Sequence, residues 1–301
     1  MNLDIISERL TVPHGTSRRQ VLKTLGAGAV GLAGLRMLTG SARAASGSLT
    51  DADVFQFALN LEYLEAEYYL YATTGQGLPP EDITGTGTLG ETIIKDNPRV
   101  PFTTQRFADF AHELADDEQT HVEFLRTTLN SLGVTPVARP PLDLLNSFNT
   151  LAQVAGIGDS FDPFESEVNF LLGAFIFEDV GVTAYRGGAK VISNNSLIFA
   201  AAGILGTEAY HAAGDRAYLL GLDDQAVVDT VQKISDLRDA LDGANDDDQG
   251  LMKNNMANIA PTDKNALVFA RTTRQVLNIV YGAVGASSGL FFPNGLNGAI
   301  S

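Results

Sequence analysis

The 301-residue sequence contains no cysteine, which excludes disulfide bonds, thiolate metal ligands, iron–sulfur clusters and a cysteine nucleophile. Basic residues are few: 20 lysines and arginines stand against 36 aspartates and glutamates, giving a net charge of −16. So acidic a chain offers no basic stripe for phosphate groups, and we exclude nucleic acid as a partner. The sequence has only four histidines. Because cysteine is absent, a transition metal would be bound through nitrogen and oxygen atoms.

Residues 1–44 have the features of an export signal. Arg18 and Arg19 form an arginine pair, an apolar, glycine-rich stretch covers residues 24–40, and an Ala-Arg-Ala sequence ends at Ala44. This order is typical of a twin-arginine signal, which the twin-arginine translocase recognises on proteins that are already folded. The apolar stretch is too short and too interrupted for a stable membrane span. We therefore predict a periplasmic or extracellular protein that has no membrane span after signal removal.

Helical periodicity dominates the chain after residue 45. Apolar residues recur at intervals of three and four, and no long run alternates with a period of two. Four long helices are predicted, at residues 50–75, 103–132, 163–192 and 195–220. Two antiparallel pairs joined by one long crossover form an established four-helix-bundle topology. The predicted fold class is therefore all-α.

The C-terminal part of the chain is predicted to extend the bundle. Residues 223–242 and 262–285 each show an amphipathic pattern and predict two further helices. The acidic segment 245–250 lacks the spacing and the terminal glutamate of an EF-hand, so we interpret it as a loop. The predicted organisation is a signal at 1–44, a four-helix bundle at 45–222 and a packed helical extension at 223–301.

Two Glu-x-x-His motifs occur in the second and fourth predicted helices, as Glu118 with His121 and Glu208 with His211. Residues three positions apart lie on the same face of a helix, so each pair can reach a common point. Both motifs have apolar neighbours, and a charged group facing the core needs a partner or a metal. One such motif alone is weak evidence, because most isolated cases lie on a solvated surface.

The other two long helices supply matching glutamates. Glu178 lies in a very apolar segment, with Tyr185 seven residues later, and Glu62 is followed by Tyr69 at the same spacing. The order along the chain is thus Glu, Glu-x-x-His, Glu, Glu-x-x-His, with one element on each helix. Four carboxylates and two imidazoles facing one core can bind two divalent ions, and these ligands suit iron or manganese.

With this spacing, residues 49–220 resemble the ferritin-like superfamily, and most closely its exported branch related to bacterial and plant desiccation-related proteins. The resemblance implies a ferritin-like four-helix bundle with a dinuclear metal centre. One half of that centre would be formed by Glu62, Glu118 and His121, and the other by Glu178, Glu208 and His211.

The resemblance also implies roles beside the metals. Tyr69 and Tyr185 match a tyrosine that stands next to the metal ions in this superfamily and could donate an electron or a proton. Asp117 matches an aspartate that orients a ligand histidine through its free ring nitrogen. Thr207 occupies the equivalent position before the second motif, which leaves His121 without an aspartate partner.

Several other polar residues are open to more than one interpretation. Glu65 lies one turn from Glu62 and could be the first-helix ligand instead, although the tyrosine spacing favours Glu62. The remaining candidates are predicted to be solvated surface groups or, for His112, a contact with the crossover: Glu67, His112, Asp116, Glu123 and Asp215. His14 belongs to the export signal.

Three classes of function remain open from the sequence. The first is a redox enzyme that uses dioxygen or peroxide, of the manganese-catalase or ferrous-oxidation kind. The second is metal sequestration, and the third is a structural, stress-protective protein of the cell envelope. The partners would be metal ions or a small oxidant. The identity of the metal, iron or manganese, and the existence of a homo-oligomer stay open. Small residues could leave an access route to the metals or simply allow close helix packing: Gly181, Ala184, Gly203, Gly206 and Ala209.

Replacing Arg18 and Arg19 together by lysine should leave the precursor in the cytoplasm with residues 1–44 attached, because the translocase reads the arginine pair. Fractionation and intact mass measurement would show this. Normal export and cleavage of the double variant would mean that the arginine pair is incidental.

Overall fold

The computed structural model describes residues 49–243 and 247–301, so the signal predicted at 1–44 lies outside the described residues. In chain order the elements are α1 (Asp51–Thr74), α2 (Pro80–Ile83), β1 (Thr92–Ile93), α3 (Gln105–Ser131), β2 (Leu142–Asp143), α4 (Asn146–Val154), α5 (Glu167–Ala189), α6 (Asn195–Leu220), α7 (Gln225–Asp242), β3 (Met252–Lys253), β4 (Met256–Ala257) and α8 (Thr273–Tyr281). The chain is predominantly helical, and the all-α prediction is confirmed.

Helix α1 begins and ends at residues whose chemistry fixes its bounds. The Thr50 side chain accepts a hydrogen bond from the backbone N–H of Asp53, and the Asp53 carboxylate accepts one from the backbone of Thr50 in return. This capping box satisfies N–H groups that would otherwise lack partners in the first turn. At the other end Gly75 adopts the left-handed conformation, with φ of 79°. Its missing side chain makes that conformation accessible at no steric cost.

The four long helices form two closely packed pairs, α1 with α3 and α5 with α6. The first pair is antiparallel: Gln56 near the start of α1 bonds to Thr135 just after α3, while Ala72 near its end bonds to Val100 just before α3. The second pair follows α3 after one long crossover, which is the predicted topology. Among the described residues, α5 is the one helix long and apolar enough to cross a membrane. Most of it is buried inside the bundle, as expected for a core helix.

Two very short sheets lie outside the bundle. Strand β1 pairs with β2 in parallel, so the linker after α1 is tied to the crossover, and β3 forms an antiparallel pair with β4. Each strand has only two residues. Such short strands carry no alternating pattern that a sequence analysis could detect.

The linker and the crossover also cover Glu67, and the prediction that this residue is solvated was wrong. Its side chain is fully buried and accepts hydrogen bonds from Arg139, from the backbone of Leu78 and from Thr92. A Cβ atom at Gly77 would lie 2.2 Å from a carboxylate oxygen of Glu67. Gly77 thus lets the linker approach the buried ion pair closely.

The predicted helix at 262–285 is shorter than expected. Residues 262–271 of this predicted helix are not helical. The Asp263 carboxylate accepts hydrogen bonds from the backbone N–H groups of Asn265 and Leu267 and closes a turn there instead. Ala266 within this turn has φ of 58°, which a right-handed helix excludes. Helix α8 begins only after a new capping box between Thr272 and Gln275.

A buried network of ion pairs fastens the C-terminal extension to the bundle. Its members are Asp179 of α5, Arg216 of α6, Arg238 and Asp242 of α7, Asp248 of the following loop and Arg271 before α8. Arg216 also donates to the backbone oxygens of Gly250 and Asn258. In the acidic segment 245–250, residues 245 and 246 lie outside the described residues. Its Asp248 is an arginine partner, in keeping with the interpretation of a loop.

Replacing Arg271 by methionine should lower the free energy of unfolding by about 3–5 kcal/mol, because the buried carboxylates of Asp242 and Asp248 would lose a shared partner. The matched control is Arg274→Met, three residues later, where the guanidinium is exposed and bonds only to backbone oxygens. Denaturant unfolding would measure both variants. Equal stability of the two would show that the network does not anchor the extension.

Candidate metal centre

The middle of the bundle contains a cluster of acidic and imidazole side chains contributed by all four long helices. Helix α1 supplies Glu62 and Glu65, α3 supplies Glu118 and His121, α5 supplies Glu178, and α6 supplies Glu208 and His211. None of these residues is more than 8% exposed. The structure therefore brings together all six residues predicted as ligands, and it adds Glu65.

Glu118 lies at the middle of the cluster and contacts both histidines. Its Oε2 atom is 3.1 Å from Nδ1 of His121, and its Oε1 atom is 3.1 Å from Nδ1 of His211. The two imidazole rings have centroids 6.4 Å apart. One carboxylate thus spans two neighbouring groups of nitrogen and oxygen atoms, the arrangement that a bridging ligand of two ions requires.

The division between the two halves differs from the one that the resemblance implies. Around His121, Oε2 of Glu62 lies 3.3 Å from Nδ1 and Oε1 of Glu208 lies 3.9 Å from it. Around His211, the neighbours are Glu118 and Glu178, with Oε2 of Glu178 at 3.5 Å from Nδ1. Glu208 therefore faces the histidine of α3 rather than the one on its own helix. Because both halves use Glu118, the cluster is one connected site.

Glu62 and Glu65 both face the cluster, so the two alternatives for the first helix are present together. One ligand atom each from Glu65, Glu118, Glu178 and Glu208 lie within 4.8 Å of one another. The two glutamates of α1 are three residues apart and share a helix face. That spacing was the signal in the sequence for a fifth carboxylate.

Two tyrosines bond crosswise to the cluster. The Tyr69 hydroxyl of α1 donates to Oε1 of Glu178 on α5, and the Tyr185 hydroxyl of α5 donates to Oε1 of Glu62 on α1. Each tyrosine leaves the second oxygen of its glutamate directed at a histidine. Burial, followed by the nearby carboxylates, raises the pKa of both phenols well above the usual value. They therefore keep their protons and hold the two carboxylates in place by donating hydrogen bonds to them.

Asp117 contacts the histidine of the opposite helix. Its Oδ2 atom lies 3.0 Å from Nε2 of His211, which directs Nδ1 of that ring into the cluster. This is the geometry expected for the orienting aspartate. In the described part of the chain, Nε2 of His121 has no corresponding hydrogen bond. Thr207 contacts the backbone oxygen of Gly203 instead, at 3.5 Å.

Many buried polar atoms of the cluster have no hydrogen-bond partner, and this pattern fits a pair of cations. The atoms are Oε2 of Glu62, Oε2 of Glu65, Oε1 of Glu118, Oε2 of Glu178, both carboxylate oxygens of Glu208 and Nδ1 of His211. Glu118 Oε1 and His211 Nδ1 are close, yet their alignment does not make a hydrogen bond. Unpartnered buried acceptors are costly, and a bound cation would satisfy them together. Nitrogen and carboxylate oxygen ligands suit iron or manganese.

The pKa values of the cluster also reflect its excess of negative charge. Burial, together with the charge of Glu118, raises the pKa of Glu62 to about 8. Burial alone would lower the pKa of both histidines. The adjacent carboxylates instead raise it, to about 11 for His121 and about 12 for His211. The raised pKa of both histidines reflects the excess of carboxylates around them.

Asp215 is a buried member of this region that sequence reasoning missed. It was predicted on an acidic surface, but it is only 1% exposed and neither carboxylate oxygen has a hydrogen-bond partner. It lies one turn after His211 and therefore shares its inward face, which was the available signal. Burial and the nearby Glu178 raise its pKa well above the usual value. The surface predictions for His112, Asp116 and Glu123 agree with their exposed side chains.

A cavity of about 320 Å³ reaches the cluster from the side of α1, α5 and α8. Four polar residues of the centre are part of its lining: Glu62, Glu65, Glu208 and Tyr185. Leu49 and Val191 also line it, and they are 50% and 52% exposed. The cavity therefore extends from the carboxylates to the molecular surface.

Only two of the five small residues considered for an access route line this cavity, Gly181 and Ala184. A Cβ atom at Gly181 would lie 2.1 Å from a carboxylate oxygen of Glu208, so this glycine makes room for the cluster itself. Ala209 lines a separate and smaller cavity. Gly203 and Gly206 have open space where a side chain would be and do not serve the route.

Comparisons with known proteins agree with this geometry. The family model for the ferritin-like domain matches residues 50–220, more than half of the chain. The desiccation-related protein PCC13-62 of Craterostigma plantagineum is 30% identical over 275 residues, which cover 83% of each chain. The ferritin-like catalase Nec2 of Nesocodon mauritianus is 26% identical over 275 residues, 83% of this chain and 85% of the relative. No solved structure matches the chain.

Replacing Glu118 by glutamine should sharply reduce binding at both halves of the site, because one carboxylate contacts both histidines. The unaltered protein should bind about two divalent ions per chain, and metal should raise its melting temperature. Elemental analysis and thermal unfolding with and without metal would measure this. Glu123→Gln, on the exposed face of the same helix, is the matched control. Unchanged stoichiometry in Glu118→Gln would refute the assignment of Glu118 as the shared ligand.

Proposed function

Because the chain belongs to the ferritin-like family, we propose that it is an exported oxidoreductase that binds two iron or manganese ions and breaks down peroxide. The family resemblance inferred from the motif spacing is confirmed by the family model and by the desiccation-related relative. The observation that supports the proposal most strongly is the connected cluster around Glu118 together with a cavity that reaches its carboxylates.

The ligands proposed for the two ions are the six residues predicted from the sequence, with Glu65 as a further carboxylate. His121, Glu62 and Glu208 would hold one ion, His211 and Glu178 the other, and Glu118 would bridge them. Iron or manganese bound there would store and return two electrons, which allows two molecules of hydrogen peroxide to yield two waters and one dioxygen. Dioxygen, in ferrous oxidation, is the second small oxidant that the same ligand set supports.

Two residues on the cavity side are placed to handle protons. Tyr185 lines the cavity, and its hydroxyl donates to Glu62. The raised pKa of the phenol keeps its proton in place until a stronger base is formed nearby. Glu65 also lines the cavity, and its Oε2 atom has no partner, so in the turnover state it would either bind a metal ion or, as a free carboxylate, accept the proton of an entering peroxide. Tyr69 is fully buried and does not line the cavity. Its role would be to orient the Glu178 carboxylate through the hydrogen bond that its hydroxyl donates.

A protective role without turnover is the second candidate, and it is favoured by the relative named for desiccation. In that case the same ligands would sequester iron or manganese outside the cytoplasm or stabilise a structural bundle. Redox-active ions held in a buried site would be kept from reacting with other cell components. This alternative needs the metal centre and the export signal, but it does not need an open cavity.

Reconstitution with manganese and, separately, with iron should give consumption of hydrogen peroxide with release of dioxygen, or oxidation of ferrous iron, for at least one metal. Tyr185→Phe should lower the rate by about a hundredfold, the lower range for loss of a proton donor, without changing the metal content. Tyr210→Phe is the matched control, since that tyrosine is 81% exposed. An oxygen electrode and elemental analysis give both readouts. If the fully loaded protein reacts with neither oxidant, the protective function replaces the enzymatic one.

A further inference from the structure

The cavity beside the metal centre is far larger than hydrogen peroxide or dioxygen requires. Its volume is about 320 Å³. One water molecule needs roughly 10–15 Å³ of such space, and an apolar cavity of about 150 Å³ accommodates benzene. The space next to the carboxylates is therefore sufficient for an organic molecule larger than a single aromatic ring.

Most of the cavity wall is apolar. The hydrocarbon surface includes Val54, Ala58 and Leu61 of α1, Ala184 of α5, Val276 of α8 and Ile192 of the connection between α5 and α6. Apolar walls favour a ligand that buries hydrocarbon, since each buried CH₂ group contributes about 0.8 kcal/mol. A route that serves only peroxide or water would gain nothing from such walls.

The polar end of the cavity favours a neutral head group. Glu62, Glu65 and Glu208 line that end, so an organic anion would meet several carboxylates. Arg271 lines the cavity as well, but its guanidinium is already paired with Asp242 and Asp248. A neutral hydroperoxide head can donate its single hydrogen bond to Oε2 of Glu65, which has no partner, and its oxygens can lie beside the Tyr185 hydroxyl, whose own proton is donated to Glu62.

We propose that the cavity binds neutral alkyl or aryl hydroperoxides, with the hydroperoxide group at Glu65 and Tyr185 and the hydrocarbon along the apolar wall. This inference rests on the proposed peroxide chemistry and names its larger substrate. A hydroperoxide combines the two features that the cavity selects, an oxygen head that reacts as peroxide does and an apolar body. Membrane lipids and other unsaturated compounds yield such molecules under oxidative stress.

The overall reaction is balanced with hydrogen peroxide as the reductant. One organic hydroperoxide and one hydrogen peroxide give one alcohol, one water and one dioxygen. The O–O bond of the organic molecule breaks and takes up two electrons and two protons, which form the alcohol and the water. Hydrogen peroxide loses two electrons and two protons and becomes dioxygen. Glu65 and Tyr185 are the groups of the cavity positioned to carry these protons.

Three glycines of α5 line the cavity, and only one of them can accept a side chain. A Cβ atom at Gly181 would lie 2.1 Å from Glu208, and one at Gly187 would lie 1.8 Å from the backbone oxygen of Arg271. At Gly188 the nearest atom is Cγ1 of Val54, at 3.5 Å, an ordinary contact. Gly188→Leu therefore narrows the cavity without touching the metal ligands.

The matched control is Gly203→Leu on α6. A side chain there meets nothing within 4 Å, and this residue does not line the cavity. Both variants add the same leucine to a helical glycine, so they share its effects on helix propensity. Equal metal content and equal consumption of hydrogen peroxide would show that both variants remain folded and loaded.

Binding is measured first, with cumyl alcohol, the unreactive product of cumene hydroperoxide, by calorimetry on the full-length protein with and without metal. We expect saturable binding to the unaltered protein and to Gly203→Leu, and at least about tenfold weaker binding to Gly188→Leu, the loss expected from filling a close-fitting apolar pocket. Absence of saturable binding, or equal binding by both variants, would overturn the assignment of the cavity as the site.

Turnover is measured next, with cumene hydroperoxide in the presence of hydrogen peroxide, by following cumyl alcohol and dioxygen. Gly188→Leu should lower formation of cumyl alcohol at least about tenfold and leave consumption of hydrogen peroxide alone unchanged. Consumption of hydrogen peroxide without formation of cumyl alcohol would reject this inference and leave the proposed function standing. Loss of both reactions in a fully loaded protein would reject the proposed function, while binding of cumyl alcohol would still report on the cavity separately.

Discussion

The burial of five glutamates in the core of one helical bundle is the constraint on which the rest of the structure depends. A buried carboxylate without a partner is unfavourable, and five of them repel one another as well. In the described part of the chain, no lysine or arginine forms an ion pair with them; the charged partners are His121 and His211. Two imidazolium groups cannot neutralise five carboxylates. Burial raises the pKa values of Glu62, Glu65 and Glu208, and bound cations would supply the further positive charge that the cluster favours.

A second buried acidic cluster shows how the same chain satisfies carboxylates with arginine side chains. Glu178 and Asp179 are neighbours in α5, and their side chains leave the helix about 100° apart. Glu178 enters the cluster with histidine and tyrosine partners, whereas Asp179 pairs with Arg216 and Arg238. Arginine thus satisfies the carboxylates that hold the extension on the bundle. In the described part of the chain, arginine is absent from the central cluster, which distinguishes this candidate metal site from the structural ion-pair network.

Local patterns in the sequence predicted the buried glutamates, histidines and tyrosines of the central cluster. The spacing of three within each Glu-x-x-His motif, and of seven from each glutamate to its tyrosine, follows from helix geometry and needs no tertiary information. The environment of Glu67 could not be predicted in this way, whereas the burial of Asp215 was missed although its spacing from His211 indicated it. Glu67 is buried because Arg139, far along the chain, folds over it with the crossover. The first half of the predicted 262–285 helix is absent because side-chain to backbone bonds of Asp263 compete with helix formation.

The two halves of the centre are related by sequence pattern, yet the surroundings make them chemically different. At the His211 half, Asp117 fixes the ring from outside and Tyr69 is sealed in the core. At the other half, Tyr185 lines a cavity that continues to the surface, and among the described residues no aspartate contacts the ring of His121. Among the described residues, this cavity reaches the side of the cluster that includes Glu62, Glu65 and Glu208. Similar ligands with different access on the two sides are what the proposed enzyme would need, because a purely structural metal site is closed and needs no open cavity.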